Sequence, residues 1–91
     1  MSDDPVWLAL VGQCLVLDLS SPYVVVGTLA EAGSLYVTLV DADVHDLRDS
    51  KTTRELYVLE ARRHGVRCNR QRVSVSRSEI VSVSRLEDVV E

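Results

Sequence analysis

The residues able to do acid–base, nucleophilic or metal chemistry are scattered along this chain rather than grouped. His45 is the candidate general base, yet no nucleophile elbow, phosphate loop or pair of carboxylates accompanies it. Three aspartates around it repeat every third residue (Asp43, Asp46 and Asp49), but the glycine and closing glutamate of a calcium-binding EF-hand are missing. We therefore expect no enzyme and no calcium site, and a solvated loop over residues 42–50.

The two cysteines do not have the spacing of a zinc-ligand pair. Cys14 falls in an apolar stretch, where a free cysteine behaves as a small buried hydrophobe. His64 precedes Cys68 by four residues, but Gly65 lies between them and interrupts any shared helical face. We expect neither a metal site nor a cofactor.

Positive charge is concentrated in one segment of an otherwise acidic protein. The net charge is −4, yet residues 54–72 hold six arginines and two glutamates, so this segment is +4 and the remainder is −8. A basic segment can bind a polyanion locally, because charges are screened beyond about 8–10 Å. The alternative is an ordinary solvated helix face. The candidate basic patch comprises Arg62, Arg63, Arg67, Arg70 and Arg72.

Length and composition indicate one small domain with a core of valine and leucine. The chain has 91 residues, with one Trp, three Tyr and no Phe. No apolar run approaches the roughly 20 residues that a membrane-spanning helix needs, and the first residues lack the basic region of a secretory signal. We expect a single domain over residues 1–91, no membrane partner and a cytoplasmic location.

Hydrophobic periodicity predicts a helix followed by five short strands, with a second helix inserted between the third and fourth strands. The first helix is expected at about residues 4–12, with Asp4 as N-cap, Pro5 at the first helical position, and an apolar face of Trp7, Leu8, Leu10 and Val11. The strands are expected at residues 14–19, 23–30, 35–41, 72–76 and 79–84. Gly27 interrupts the second strand, which is typical of a sharp bend in a small barrel.

The inserted helix is predicted over about residues 53–64. Thr52 and Glu55 have the spacing of a capping box. Apolar positions recur at helical spacing in Leu56, Leu59 and the stem of Arg63, and a glycine follows the predicted end. A strand through residues 57 and 58 is the alternative.

The order of these pieces resembles the Sm-like (LSm) family, which includes bacterial Hfq. Gly27-Thr28-Leu29 resembles the glycine-x-leucine that opens the family's first motif, and residues 35–42, LYVTLVDA, resemble its apolar run ending in Asp-Ala. Residues 77–80, RSEI, resemble the second motif, Ile-Arg-Gly-x-x-Ile. The resemblance covers nearly all of the chain except residues 44–71. It implies a mostly β protein with a five-stranded, strongly bent, SH3-like barrel.

The resemblance also implies where RNA would bind. In the family, uracil is held by an Asn of the first motif, a neighbouring aromatic or His, and the Arg of the second motif. Here Tyr36 stands at the Asn position, Ser34 at the aromatic position and Ser78 at the glycine position, so only Arg77 matches. A base can still stack on Tyr36 beside Arg77, although uracil-specific hydrogen bonding is not implied. The alternative is that Tyr36 packs at a subunit interface and Arg77 pairs with Glu79 or a neighbouring residue.

Two functions are compatible with this frame. Apolar edge strands invite pairing between copies, and the family forms six- or seven-membered rings, so we expect a homo-oligomeric ring joined through residues 73–77 and 79–84. The first function is a ring that binds single-stranded RNA. The second is a ring that binds a protein partner through residues 53–64 and does not bind RNA, which the pI of about 5.1 and the missing Asn favour.

Overall fold

The computed structural model describes residues 4–49 and 51–91, and in it five antiparallel strands form one strongly bent sheet. The strands are β1 (Cys14–Leu19), β2 (Tyr23–Ala32), β3 (Tyr36–Asp46), β4 (Arg70–Ser76) and β5 (Ile80–Arg85). Their order in the sheet is β4-β3-β2-β1-β5. The predicted five-stranded bent barrel is confirmed. The sheet is not closed, however, because β4 and β5 lie at its two ends.

Two helices accompany the sheet, as predicted: α1 (Pro5–Leu10) before β1, and α2 (Arg54–His64) between β3 and β4. A carboxylate oxygen of Asp4 accepts a hydrogen bond from the backbone N–H of Val6 at 3.0 Å and caps α1. Within the described residues, neither helix has the length and apolar character to cross a membrane.

The capping box predicted for α2 is wrong by one residue. The N-cap is Thr53 rather than Thr52, and its hydroxyl accepts a hydrogen bond from the backbone N–H of Leu56 at 3.2 Å. The backbone is still extended at Thr53 and turns into the helix after it, so Thr53 carries the side chain that reaches a free amide of the first turn.

The strand β3 extends five residues beyond its predicted end. Residues 42–46, expected to begin an exposed loop, continue along β2, with His45 opposite Val24 and Asp46 opposite Tyr23. Only Leu47–Asp49 form a short 3-10 turn, and Ser50 lies outside the described residues. The polar sequence is misleading here because its side chains find partners on α2, as described below. β2 and β4 are also longer than predicted, by two residues each.

Apolar side chains pack on both faces of the sheet. On the inner face, Trp7 of α1 joins a buried cluster that comprises Leu15, Leu17, Val25, Leu29, Ala32, Val37, Leu39, Ala42 and Val75. On the outer face, Val16, Val24 and Val26 pack against Val58 of α2. Burial of each such side chain contributes roughly 1.5–3 kcal/mol. These two clusters therefore hold α1 and α2 on the sheet.

The predicted apolar faces of the helices are only partly correct. On α1, Trp7 is buried, but Leu8 is 52% exposed. Val11 is 46% exposed, because the helix ends at Leu10 and the backbone of Val11 is no longer helical. On α2, the buried residues are Val58 and Ala61, and Val58 packs against the outer valines of β1 and β2. Leu56, predicted to pack, is 46% exposed.

Gly27 lies where β2 bends and the backbone of β3 comes close. A Cβ atom at this position would lie 2.8 Å from the Cβ of Ala42 and 3.2 Å from the carbonyl oxygen of Val40. The pairing of β2 with β3 also shifts register between Val26 and Thr28. A side chain at residue 27 would therefore force the two strands apart.

We expect Gly27→Ala to lower the free energy of unfolding by about 1–3 kcal/mol, because the added methyl overpacks the bend. Chemical denaturation followed by Trp7 fluorescence measures the change. Ala42→Gly removes the nearest clashing atom, so the double variant should recover part of the loss. Strictly additive effects of the two substitutions would contradict this account.

Candidate nucleic-acid interface

Arg77 joins three parts of the chain at one end of the barrel. It begins the 3-10 turn Arg77–Glu79 between β4 and β5. Its backbone N–H donates to the carbonyl of Leu35 at 2.9 Å, and its guanidinium donates to the carbonyl of Gly33 at 3.0 Å. Both bonds attach the β4–β5 turn to the β2–β3 turn.

The guanidinium of Arg77 also contacts α1. It lies 5.6 Å from the centre of the Trp7 ring, within the range of a cation–π contact. One of its nitrogens is 3.5 Å from the Oδ2 atom of Asp4. Arg77 therefore pairs with Asp4, whereas the carboxylate of Glu79 accepts a hydrogen bond from Ser20.

Tyr36 opens β3 next to this arginine. It is paired with Ser76 across the β3–β4 ladder, so its backbone is close to the residue that precedes Arg77. The side chain of Tyr36 is 56% exposed. An exposed ring of this kind offers a surface on which a nucleobase can stack.

Ser34 and Ser78, the other predicted contacts, are exposed in the two turns that Arg77 connects. The hydroxyls of Ser78 and Ser76 lie 2.9 Å apart. The four predicted residues are thus at the same end of the barrel. A crevice of about 740 Å³ opens beside Ser34 and Tyr36, and it is also lined by Leu8 of α1 and by Val11, which follows the helix.

Ion pairs divide the predicted basic patch. Arg63 contacts Glu91 at 2.6 Å, and this hydrogen bond lowers the pKa of the Glu91 carboxyl. Arg72 contacts Glu31 at 3.1 Å. In the described part of the chain, the remaining three, Arg62, Arg67 and Arg70, make no ion pair. These three arginines are the members of the patch whose charge is available to an anion.

Polar contacts fasten α2, which carries part of this patch, to β3. The hydroxyl of Tyr57 donates to the carboxylate of Asp43, and its ring stacks on His45 with 4.1 Å between centroids. Burial first, and then the bond to Asp43, raise the pKa of Tyr57 well above its usual value. The side chain of Asn69 pairs with both the N–H and the carbonyl of Val44, at 2.9 and 3.0 Å. These contacts explain why residues 43–46 form a strand.

Among the described residues, neither cysteine belongs to a group that could bind a metal ion. Cys14 is half-buried, and burial raises the pKa of its thiol. Cys68 is exposed, and its thiol donates to the carbonyl of Asp41 at 3.0 Å. Across residues 4–49 and 51–91, no three His, Cys, Asp or Glu side chains are placed to hold a metal ion.

Comparison with known proteins shows a likeness in structure only. Neither a protein-family model nor a curated protein matches the sequence. Among solved structures, the Sm protein of Pyrococcus abyssii in complex with a uridine heptamer matches with a TM-score of 0.62. The match covers 93% of this chain and 99% of that one, at 14% sequence identity. The chain therefore has the Sm-like fold, as its resemblance to that family implied.

The sequence did not reveal the contacts of Arg77 with α1. Asp4 is recognisable from the sequence as an N-cap, but its second oxygen meets a residue 73 positions away. Trp7 is recognisable as an apolar helix residue, and no local spacing indicates that its ring lies beside a guanidinium. Only the fold brings these residues together.

We expect the burial of Tyr57, together with its bond to Asp43, to make stability sensitive to alkaline pH. Because folding raises the pKa of Tyr57, its contribution is complete below about pH 10, the ordinary tyrosine value, and is lost as the pH rises further. The free energy of unfolding should fall above pH 10 by up to about 1.4 kcal/mol per pH unit from this group. Denaturation of wild type and Tyr57→Phe at pH 8 to 11 tests this expectation, since the variant should show a shallower fall. Parallel curves would contradict it.

Proposed function

We propose that this protein binds single-stranded RNA at the end of the barrel where Tyr36 and Arg77 lie. One observation carries the proposal: hydrogen bonds from Arg77 to Gly33 and Leu35 join the two turns, so the backbone of the exposed Tyr36 lies beside the β4–β5 turn that carries Arg77. The solved Sm protein with the same fold holds a uridine heptamer, which supports the ligand class.

The chemistry of the site suits a base and its adjacent phosphate. Stacking on Tyr36 is worth about 1–3 kcal/mol and tolerates any base. Arg77 supplies a charged donor, and the hydroxyls of Ser34 and Ser78 act as donors or acceptors. Since no side-chain amide stands at the position that holds uracil in the family, we expect only weak preference among bases. Arg62, Arg67 and Arg70 form a second, phosphate-binding contact in this proposal.

Fluorescence anisotropy of a labelled U-rich RNA tests the proposal directly. Wild type should bind more tightly in 50 mM than in 200 mM salt, because phosphate contacts release counterions. Tyr36→Ala should weaken binding by about tenfold, the equivalent of one lost stacking contact. Tyr36→Phe keeps the ring and should bind like wild type. Equal affinity of the alanine and phenylalanine variants would remove Tyr36 from the site.

We also propose that copies of the chain assemble through the two ends of the sheet. In the described part of the chain, β4 and β5 each have one neighbouring strand, so one edge of each is open to pairing. Head-to-tail pairing of complementary edges gives a ring when the rotation closes.

Val81 provides a test of this assembly, because it is 70% exposed on β5 and its substitution should cost the single chain little. We expect Val81→Asp to reduce the oligomer to smaller species in sedimentation velocity or native mass spectrometry. Val90→Asp is the matched control, since Val90 is 90% exposed and lies outside the strands. An oligomer unaffected by Val81→Asp would place the interface elsewhere.

A ring that binds a protein partner is the second candidate function. It is favoured by a crevice of about 470 Å³ between α2 and the last residues of the chain, where Leu56 and Val90 are exposed. RNA binding that is absent at both salt concentrations, in a protein that still oligomerises, would favour this function. The surface to change would then be Leu56, with Leu56→Asp expected to abolish binding of the partner.

A further inference from the structure

We propose that Asp4 sets the affinity of the Arg77 site by competing with RNA phosphate for the guanidinium. This inference rests on the proposed RNA-binding function and adds a residue to it. Asp4 lies in the segment before α1, outside the residues that the sequence motifs assign to binding.

The two carboxylate oxygens of Asp4 have different partners. Oδ1 accepts the hydrogen bond of the Val6 N–H at 3.0 Å and caps α1. Oδ2 faces Arg77 at 3.5 Å, the long end of the range for an ion pair. The capping bond can therefore persist while the contact with Arg77 is exchanged for another anion.

Other bonds hold Arg77 in place. Its backbone N–H and its guanidinium bind the carbonyls of Leu35 and Gly33, both at 3.0 Å or less. The contact with Asp4 is longer, and the two side chains remain 26% and 37% exposed, so water and ions reach it. Asp4 therefore acts mainly by offsetting the positive charge of Arg77. The position of Arg77 is fixed by its hydrogen bonds to the carbonyls of Leu35 and Gly33.

The helix that Asp4 caps is itself fixed. Trp7 is 8% exposed and belongs to the inner core cluster, so α1 cannot swing away without opening that core. A phosphate that approaches Arg77 thus always meets the carboxylate of Asp4. It must either bind against this repulsion or displace the carboxylate by rotation of the Asp4 side chain.

The test compares Asp4→Asn with Glu87→Gln, since each removes one negative charge. Asparagine caps a helix about as well as aspartate, so α1 should be preserved. Glu87 is exposed and pairs with Arg85 at the end of β5. We expect Asp4→Asn to tighten binding of the U-rich RNA about two- to fivefold at 50 mM salt, with a smaller gain at 200 mM. Glu87→Gln should bind like wild type.

Arg77→Gln, which keeps an amide donor for Gly33, completes the test. If Asp4 acts through Arg77, Asp4→Asn should bring no gain in the Arg77→Gln background. An equal gain in Asp4→Asn and Glu87→Gln, or a gain that persists without Arg77, would overturn the inference and leave the proposed function standing. Failure of wild type and every variant to bind RNA would overturn both. Binding by Asp4→Asn alone would support the competition.

Discussion

The close approach of β2 and β3 at Gly27 is the constraint on which the rest of the structure depends. With only a hydrogen at this position, the β2 backbone lies against Ala42 and the sheet turns sharply. The bend gives the sheet an inner face, which encloses the leucine-rich core, and an outer face, which carries three buried valines. It allows both faces of a five-stranded sheet to be covered in a chain of 91 residues: the inner face by the bend and α1, the outer face by α2.

The candidate site depends on the same bend indirectly, through the pairing of β3 with its two neighbouring strands. Residues from two turns and from α1 meet there only because β3 pairs with both β2 and β4, and so places the β2–β3 turn beside the β4–β5 turn. Arg77 then donates hydrogen bonds to the carbonyls of Gly33 and Leu35 in the β2–β3 turn, and its guanidinium contacts the ring of Trp7. One guanidinium therefore serves the structure of the barrel end and gives the surface its charge. Elsewhere on the surface, ion pairs with carboxylates of the same chain offset the positive charge of several arginines.

Features that depend on neighbouring residues were predictable, and features that depend on distant ones were not. Alternation located β1, a glycine located the bend in β2, and a threonine, apolar spacing and Gly65 located α2 to within one residue. The end of β3 was not predictable, because Asp43 finds its partner on α2 and only the folded chain brings them together. The same limit applies to the site. The four residues proposed for it follow from motif order, whereas the pairing of Asp4 with Arg77 joins residues 73 positions apart.

The pairing of β1 with β5 has a consequence for how the chain reaches this fold. Leu15 lies opposite Arg85, so the first strand obtains one of its two neighbours only after nearly all of the chain has been made. Contacts of such high sequence separation slow folding, because a long loop must close before they form. Until then, β1 presents an apolar edge to other molecules, which favours aggregation of the nascent chain. During synthesis and refolding, the β1 edge that β5 later covers is therefore the part of the protein most open to aggregation.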